Sequence, residues 1–222
     1  MSELPLLAGP ALPPASGQPP RQVVLLLHGV GADGNDLIGL APIFQQVLPE
    51  AAFFSPHAPE KFDMAPSGHQ WFSLRDFGPE SRLKGTRAAA PILDRYIDHL
   101  LAIFGLKEEN MALIGFSQGT MVALYVGLRR ARPLAGIVGY SGMLVAPESL
   151  VAEIRSRPPV LLVHGEADGI VPVEALDQAR TALDKNQVPV RAHARPGLAH
   201  GIDEEGIRLG QEFLKQTLGK SG

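Results

Sequence analysis

The chain has 222 residues, of which 45% are hydrophobic and 19% charged, enough to fill the core of one α/β domain spanning 1–222. A formal net charge of -3 offers no broad basic surface for nucleic acid. The absence of cysteine excludes disulfides, thiolate metal sites and a cysteine nucleophile. The start Met1-Ser2-Glu3-Leu4-Pro5 lacks the basic and apolar regions of a secretory signal, and no later apolar run is long enough to cross a bilayer. The expectation is a cytoplasmic protein.

Residues 1–20 contain Gly9, Pro10, Pro13, Pro14, Gly17, Pro19 and Pro20, which fits an edge strand or hairpin, or else a loose N-terminal segment. Val23 to Leu27 is apolar on both faces, as a buried parallel strand should be. It runs into His28-Gly29-Val30-Gly31-Ala32-Asp33-Gly34, after which Asn35 or Asp36 caps a helical pattern through Leu37, Leu40, Ile43, Phe44 and Val47. A glycine-rich turn between strand and helix can aim backbone N–H groups at an anion. It lacks both Gly-x-x-x-x-Gly-Lys and the full Gly-x-Gly-x-x-Gly, so an oxyanion hole is favoured over a phosphate site.

Ala52 to Ser55 reads as a strand. A long connection through Pro56, Pro59, Pro66, Gly68, Gly78 and Pro79 follows, without regular structure, and carries Trp71 beside Phe72. Two readings of Trp71 stand side by side: an anchor of this loop on the core, or a wall of an apolar acyl pocket. Helical spacing returns over 88–104. Met111 to Thr120 then passes from apolar strand into Gly115-Phe116-Ser117-Gln118-Gly119 and a helix, the pattern of a serine exposed on a tight turn. That helix closes near Arg129-Arg130-Ala131-Arg132, read as a solvated end.

Further strands are expected at 134–142, 159–165 and 188–193, and helices at 173–186 and from Asp203 onward. Alternating strands and helices argue for a mainly parallel sheet covered by helices on both faces. Ligands bind such sheets beyond the carboxyl ends of the strands, and the exits there carry Ser117, Asp168 and His200 in that order. A serine hydroxyl needs a base and an oriented acid to become nucleophilic, and this is the chain order of the α/β-hydrolase arrangement.

Rivals exist for each role. Glu166 shares the loop with Asp168 but lies nearer the strand end. Ser141 also follows a strand, without the second glycine and helix, and reads as a rim residue. His28, His57 and His164 end strands, yet no His-Glu-x-x-His spacing is present, so they read as core or supporting histidines and no metal is expected. His69, His99 and His193 have no acid partner evident in the sequence.

The segments 27–34, 115–119, His164-Gly165-Glu166-Ala167-Asp168-Gly169-Ile170-Val171-Pro172 and Leu198-Ala199-His200-Gly201-Ile202 together resemble the phospholipase/carboxylesterase family, from about Val23 onward. The resemblance implies an α/β-hydrolase fold and a serine esterase of the carboxylesterase, lysophospholipase or acyl-protein thioesterase type. Ser117 would be nucleophile, Asp168 acid and His200 base, with oxyanion donors at the N–H groups of Val30 and Gln118. Trp71 and Phe72 resemble the family's Trp-Phe pair beside the substrate cleft. Ala199 departs from the glycine that many relatives carry there, which bears on the geometry of the His200 loop.

The implied partners are small acyl esters or thioesters, lysophospholipids or acylated proteins, with no cofactor; homodimerisation comes from the resemblance alone. No sizeable insertion follows Ser117, so no large cap is expected and the Trp71 loop would be the main cover. Alternatives are a serine peptidase or amidase with the same triad, and a non-catalytic binding module on a hydrolase fold.

Overall fold

The computed structural model describes residues 6–219. Its strands are β1 (Ala11–Leu12), β2 (Gln22–Leu27), β3 (Ala51–Phe54), β4 (Glu60–Lys61), β5 (His69–Gln70), β6 (Met111–Phe116), β7 (Gly136–Tyr140), β8 (Val160–Gly165) and β9 (Val190–Arg195). Its α-helices are α1 (Gly34–Ile38), α2 (Ala41–Gln45), α3 (Pro79–Phe104), α4 (Gln118–Gly127), α5 (Leu150–Glu153), α6 (Glu174–Lys185) and α7 (Glu204–Leu218). Seven strands form one sheet in the order β1-β3-β2-β6-β7-β8-β9. Only β1 is antiparallel to its neighbour, so Ala11–Leu12 of the proline-rich stretch form an edge strand, while residues 1–5 of that stretch lie outside the described residues.

The apolar runs are buried on both faces because both faces are covered. Val23, Leu25 and Leu27 of β2 join Leu93 and Ile97 of α3 and Val122 of α4 in one core. Val24 and Leu26, pointing the other way, join Phe44 of α2 and Phe213 and Leu214 of α7 in the second. These five apolar residues of β2 are fully buried, and each contributes roughly 1.5–3 kcal/mol of burial free energy.

Several expectations are corrected. The pattern over Leu37 to Val47 is two short helices, because Pro42 lacks the N–H that would continue the helix past Gly39. Asp33, not Asn35 or Asp36, is the cap, its Oδ1 accepting the Asn35 N–H at 2.7 Å. Helix α3 begins nine residues earlier than its apolar spacing predicts, with Pro79 supplying a preset φ at its start. Its first two turns are mostly polar, and Gly85 lies against Phe72 so closely that a Cβ would meet Phe72 Cβ at 2.5 Å. The 55–78 connection contains a small antiparallel ladder, Glu60 opposite Gln70 and Lys61 opposite His69. Arg130 is not solvated: its side chain is 7% exposed and pairs with Asp94 and, at 2.6 Å, Asp98 of α3, and it lies 3.6 Å from Glu108.

Helix α4 enters the sheet very tightly. A Cβ on Gly119 would lie 1.9 Å from the carbonyl oxygen of Leu27, and one on Gly115 would lie 2.5 Å from the Thr120 nitrogen. Both obstacles are backbone and cannot rotate away. Gly119→Ala is therefore expected to destabilise the fold by about 1–3 kcal/mol. That corresponds to a melting temperature lower by roughly 2–12 °C, read by calorimetry. An unchanged Tm would contradict the close approach.

Candidate active site

The tight approach leaves one residue to make the turn. Ser117 stands between β6 and α4 with φ 53° and ψ -116°, a conformation that costs about 1–3 kcal/mol for a residue with a side chain. Neighbouring hydrogen bonds hold it there. Its N–H donates to Tyr140 O at 2.9 Å, and its carbonyl accepts from Thr120 N at 3.0 Å and Met121 N at 3.3 Å. Thr120 Oγ1 donates to Tyr140 O as well, tying the turn to the end of β7.

The acid and the base meet at the ends of β8 and β9. Asp168 Oδ2 lies 2.7 Å from His200 Nδ1, while Oδ1 accepts the N–H groups of Ile170 and Val171 at 2.9 Å each. Burial alone would push the Asp168 carboxyl up. The hydrogen bond from His200 and those from Val171 and Ile170 outweigh burial and hold it below the ordinary aspartate value of 3.8. A carboxylate at Oδ2 fixes the His200 proton on Nδ1 and leaves Nε2 as the acceptor.

The two loops are joined by backbone bonds, Ala167 N to Leu198 O at 2.9 Å and Glu166 N to Arg195 O at 3.0 Å. Gly165 makes room for this, since a Cβ there would meet Leu198 O at 2.2 Å. Ala199 keeps a negative φ, so its replacement of glycine introduces no left-handed strain. Glu166 is exposed and does not reach His200.

Ser117 is brought to the same rim. The ring of the preceding Phe116 lies 4.9 Å from the His200 ring, and Ser141 Oγ donates to Gly201 O at 3.2 Å, bracing the His200 loop from β7. Ser141 is thus a buried support at the rim, itself held at φ 45°. The Ser117 hydroxyl has no hydrogen-bond partner among the described residues.

The turn after β2 faces Ser117: a Cβ on Gly29 would lie 3.3 Å from Ser117 Cβ. Around Val30 the backbone is committed, Gly31 N to His69 O at 2.8 Å and His69 N to Ala32 O at 2.7 Å. The Val30 N–H is left without an acceptor among the described residues. The Gln118 N–H opens α4, where no intrahelical acceptor exists. His28 braces the turn from below, fully buried, with Nδ1 donating to Gly29 O at 2.7 Å and Nε2 accepting from Ala58 N at 2.9 Å. Burial lowers its pKa below 6.5, which keeps this neutral tautomer. His28 is therefore a core histidine that supports the turn. His57 accepts from Gly34 N and stacks on His69.

Of the two readings of Trp71, anchoring matches the contacts. Trp71 is 1% exposed, its Nε1 donates to His28 O at 2.9 Å, and Phe72 is buried with it. The Gln118 side chain, silent in the sequence, clamps both: Oε1 accepts from Trp71 N and Nε2 donates to Phe72 O, each at 2.8 Å. Gln118→Glu would replace the buried donor by an oxygen facing the Phe72 carbonyl. We expect a loss of about 1–3 kcal/mol and a shifted Trp71 emission, since this is the only tryptophan. Unchanged emission and Tm would rule out the clamp.

Beside the rim opens a recess of about 590 Å³. Phe77, Leu83, Met143, Leu144, Ile170 and Ala175 supply its apolar lining, and neither Trp71 nor Phe72 borders it. Met143 follows Gly142, whose absent side chain leaves room for Ser117 O, and Ile170 donates its N–H to Asp168, so the recess adjoins both loops. Its cover is the segment around Phe77, the start of α3 and the 143–148 loop, rather than the stretch around Trp71.

Comparison with known proteins gives the family. Residues 14–218 match the model of the phospholipase/carboxylesterase family. The crystal structure of esterase PE8 superposes with a TM-score of 0.92 at 41% identity, covering 96% of this chain and all of that one. Acyl-protein thioesterase 1 of Saccharomyces cerevisiae is 30% identical over 222 residues, covering 90% of this chain and 95% of the relative. The enzyme of that name from Schizosaccharomyces pombe is 29% identical over 206 residues, covering 88% and 91%. The chain belongs to the phospholipase/carboxylesterase family and is an ester-hydrolysing enzyme of the α/β-hydrolase fold.

Proposed function

We propose that Ser117 attacks the carbonyl carbon of an acyl ester or thioester while His200 Nε2 takes its proton. Asp168 holds the Nδ1–H tautomer and stabilises the imidazolium that forms. The developing oxyanion is received by the N–H groups of Val30 and Gln118, which cost no reorganisation because they are already without partners. His200 then protonates the leaving alcohol or thiol, and water, activated by the same imidazole, releases the acid from Ser117. The observation that carries this reading is the 2.7 Å contact between Asp168 and His200 at the rim where Ser117 is held at positive φ.

The substrate is proposed to be an acyl ester or thioester of small to medium chain length, its hydrocarbon part seated on the apolar lining of the recess beside the rim, which Glu80, Arg82, Glu148 and Glu174 border as well. The largest element inserted between β7 and β8 is α5, only four residues long, so the recess stays open to acyl groups carried on larger molecules. Relatives named acyl-protein thioesterase support including thioesters and acylated proteins in the range.

A panel of chromogenic oxygen and sulfur esters of increasing chain length tests this. The expected result is a rise in kcat/KM with chain length until the recess is filled, each buried methylene contributing about 0.8 kcal/mol, or roughly fourfold. A profile flat in chain length would remove the recess from the proposal.

A further inference from the structure

A second imidazole stands against the acid and has no part in the reaction as written. His164 lies near the end of β8, and its side chain is 2% exposed. Its Nε2 is 2.8 Å from Val171 O and 3.3 Å from Asp168 Oδ2, the same oxygen that meets His200. A carbonyl can only accept, so the His164 proton sits on Nε2 and is donated to Val171. Val171 in turn gives its N–H to Asp168 Oδ1.

These contacts close a ring. From His164 on the strand, the path runs through Nε2–H to the Val171 carbonyl, through the Val171 N–H to Asp168, and back along four residues of chain to β8. Turn 168–171 would otherwise be a surface excursion between β8 and α6. With the ring it is fixed to a fully buried strand, and both oxygens of Asp168 have set directions: Oδ1 toward the turn, Oδ2 toward His200. The same Nε2 also lies 3.3 Å from Oδ2, the oxygen that meets His200.

We infer that His164 is a positioning residue, which sets the rotation of the Asp168 carboxylate and through it the aim of His200. The inference rests on the triad proposed above. A buried histidine that only filled space would affect stability when replaced, and each folded, titrated enzyme would turn over as before. A positioning residue instead changes kcat at nearly constant KM, because it acts on the proton transfer and not on acyl binding.

The experiment compares His164→Met, His164→Gln and His164→Asn with wild type, each counted by organophosphonate titration of Ser117. Methionine keeps the volume without a donor. Glutamine can place an amide nitrogen near the histidine Nε2 position, and asparagine falls one bond short. H164M is expected to lower kcat roughly ten- to a hundredfold with KM little changed. It should also displace the far-downfield Nδ1–H proton resonance of His200. H164Q should recover most of the wild-type kcat and H164N should not.

Wild-type kcat and an unmoved resonance in H164M would overturn the inference. Should H164M fail to fold, equal kcat in H164Q and H164N would overturn it, and recovery in H164Q alone would support it. Wild-type activity in Ser117→Ala is a separate outcome, which would remove the triad itself whatever the His164 variants show.

Discussion

Ser117→Ala is expected to abolish turnover of a chromogenic acyl ester, with kcat lower by about a millionfold. The size follows from what the substitution removes and what it leaves. The bonds that hold the turn all use the backbone of residue 117: its N–H to Tyr140 O and its carbonyl to Thr120 N and Met121 N. Alanine keeps them and accepts the same positive φ at similar cost, so Tm should stay within a few degrees of wild type. The oxyanion donors and the recess also persist, and such remnants retain a residual acceleration of about 10³–10⁴ over water in comparable triads. The hydroxyl alone is lost, and with it the acyl-enzyme. Intact-mass spectrometry after organophosphonate treatment supplies the matching readout: one adduct on the wild-type protein and none on the variant. Equal hydrolysis by both proteins would exclude Ser117 as nucleophile.

The strands that place Ser117 were legible because a parallel sheet covered on both faces leaves an unbroken apolar run in the chain. Val23 to Leu27, Met111 to Ile114 and Val160 to Val163 all have that form and all are buried. Helices α6 and α7 were legible through their 3.6-residue period. The early start of α3 was not, since the residues before Leu83 bury little and are fixed by Pro79 and by the approach of Gly85 to Phe72. The division between α1 and α2 could have been found from Pro42, a signal outweighed by the apolar spacing around it.

At the site, legibility follows the same line between local pattern and long-range contact. The chain order Ser117, Asp168, His200 and the strand exits they occupy are local facts, and the Asp168–His200 contact agrees with them. Nothing periodic marks Gln118 as the clamp of residues 71 and 72, more than 45 positions away, because a single side chain meeting two backbone groups has no sequence signature. The same is true of Ser141 bracing Gly201 and of His164 beside Asp168. Trp71 shows the limit from the other side. An aromatic in a glycine- and proline-rich loop can anchor or line a pocket, and only the Nε1 contact to His28 O and the burial of its ring separate the two.

Asp168→Asn tests the orientation of the base rather than its presence, and a loss in kcat of about ten-thousandfold is expected. The surroundings dictate how asparagine must sit. Two N–H groups, from Ile170 and Val171, point at the Oδ1 position, so the amide oxygen stays there and the NH₂ takes the Oδ2 position. That NH₂ now faces His200 Nδ1, which can meet it only as an acceptor. The imidazole proton moves to Nε2, where the Ser117 proton has to go, and the base is blocked with its geometry almost intact. The substitution also changes acid stability in a defined direction. The Asp168 carboxyl is held below 3.8, so its contribution is present above that ordinary value and is lost as pH falls through the lower value in the folded protein. Asparagine has no such proton to gain, and the variant's Tm should fall less steeply than wild type as pH drops below about 4. Thermal melts across that range and kcat at neutral pH are the measurements. A variant within tenfold of wild-type kcat would show that His200 keeps its tautomer without Asp168, and the acid would then have to be found elsewhere on the rim.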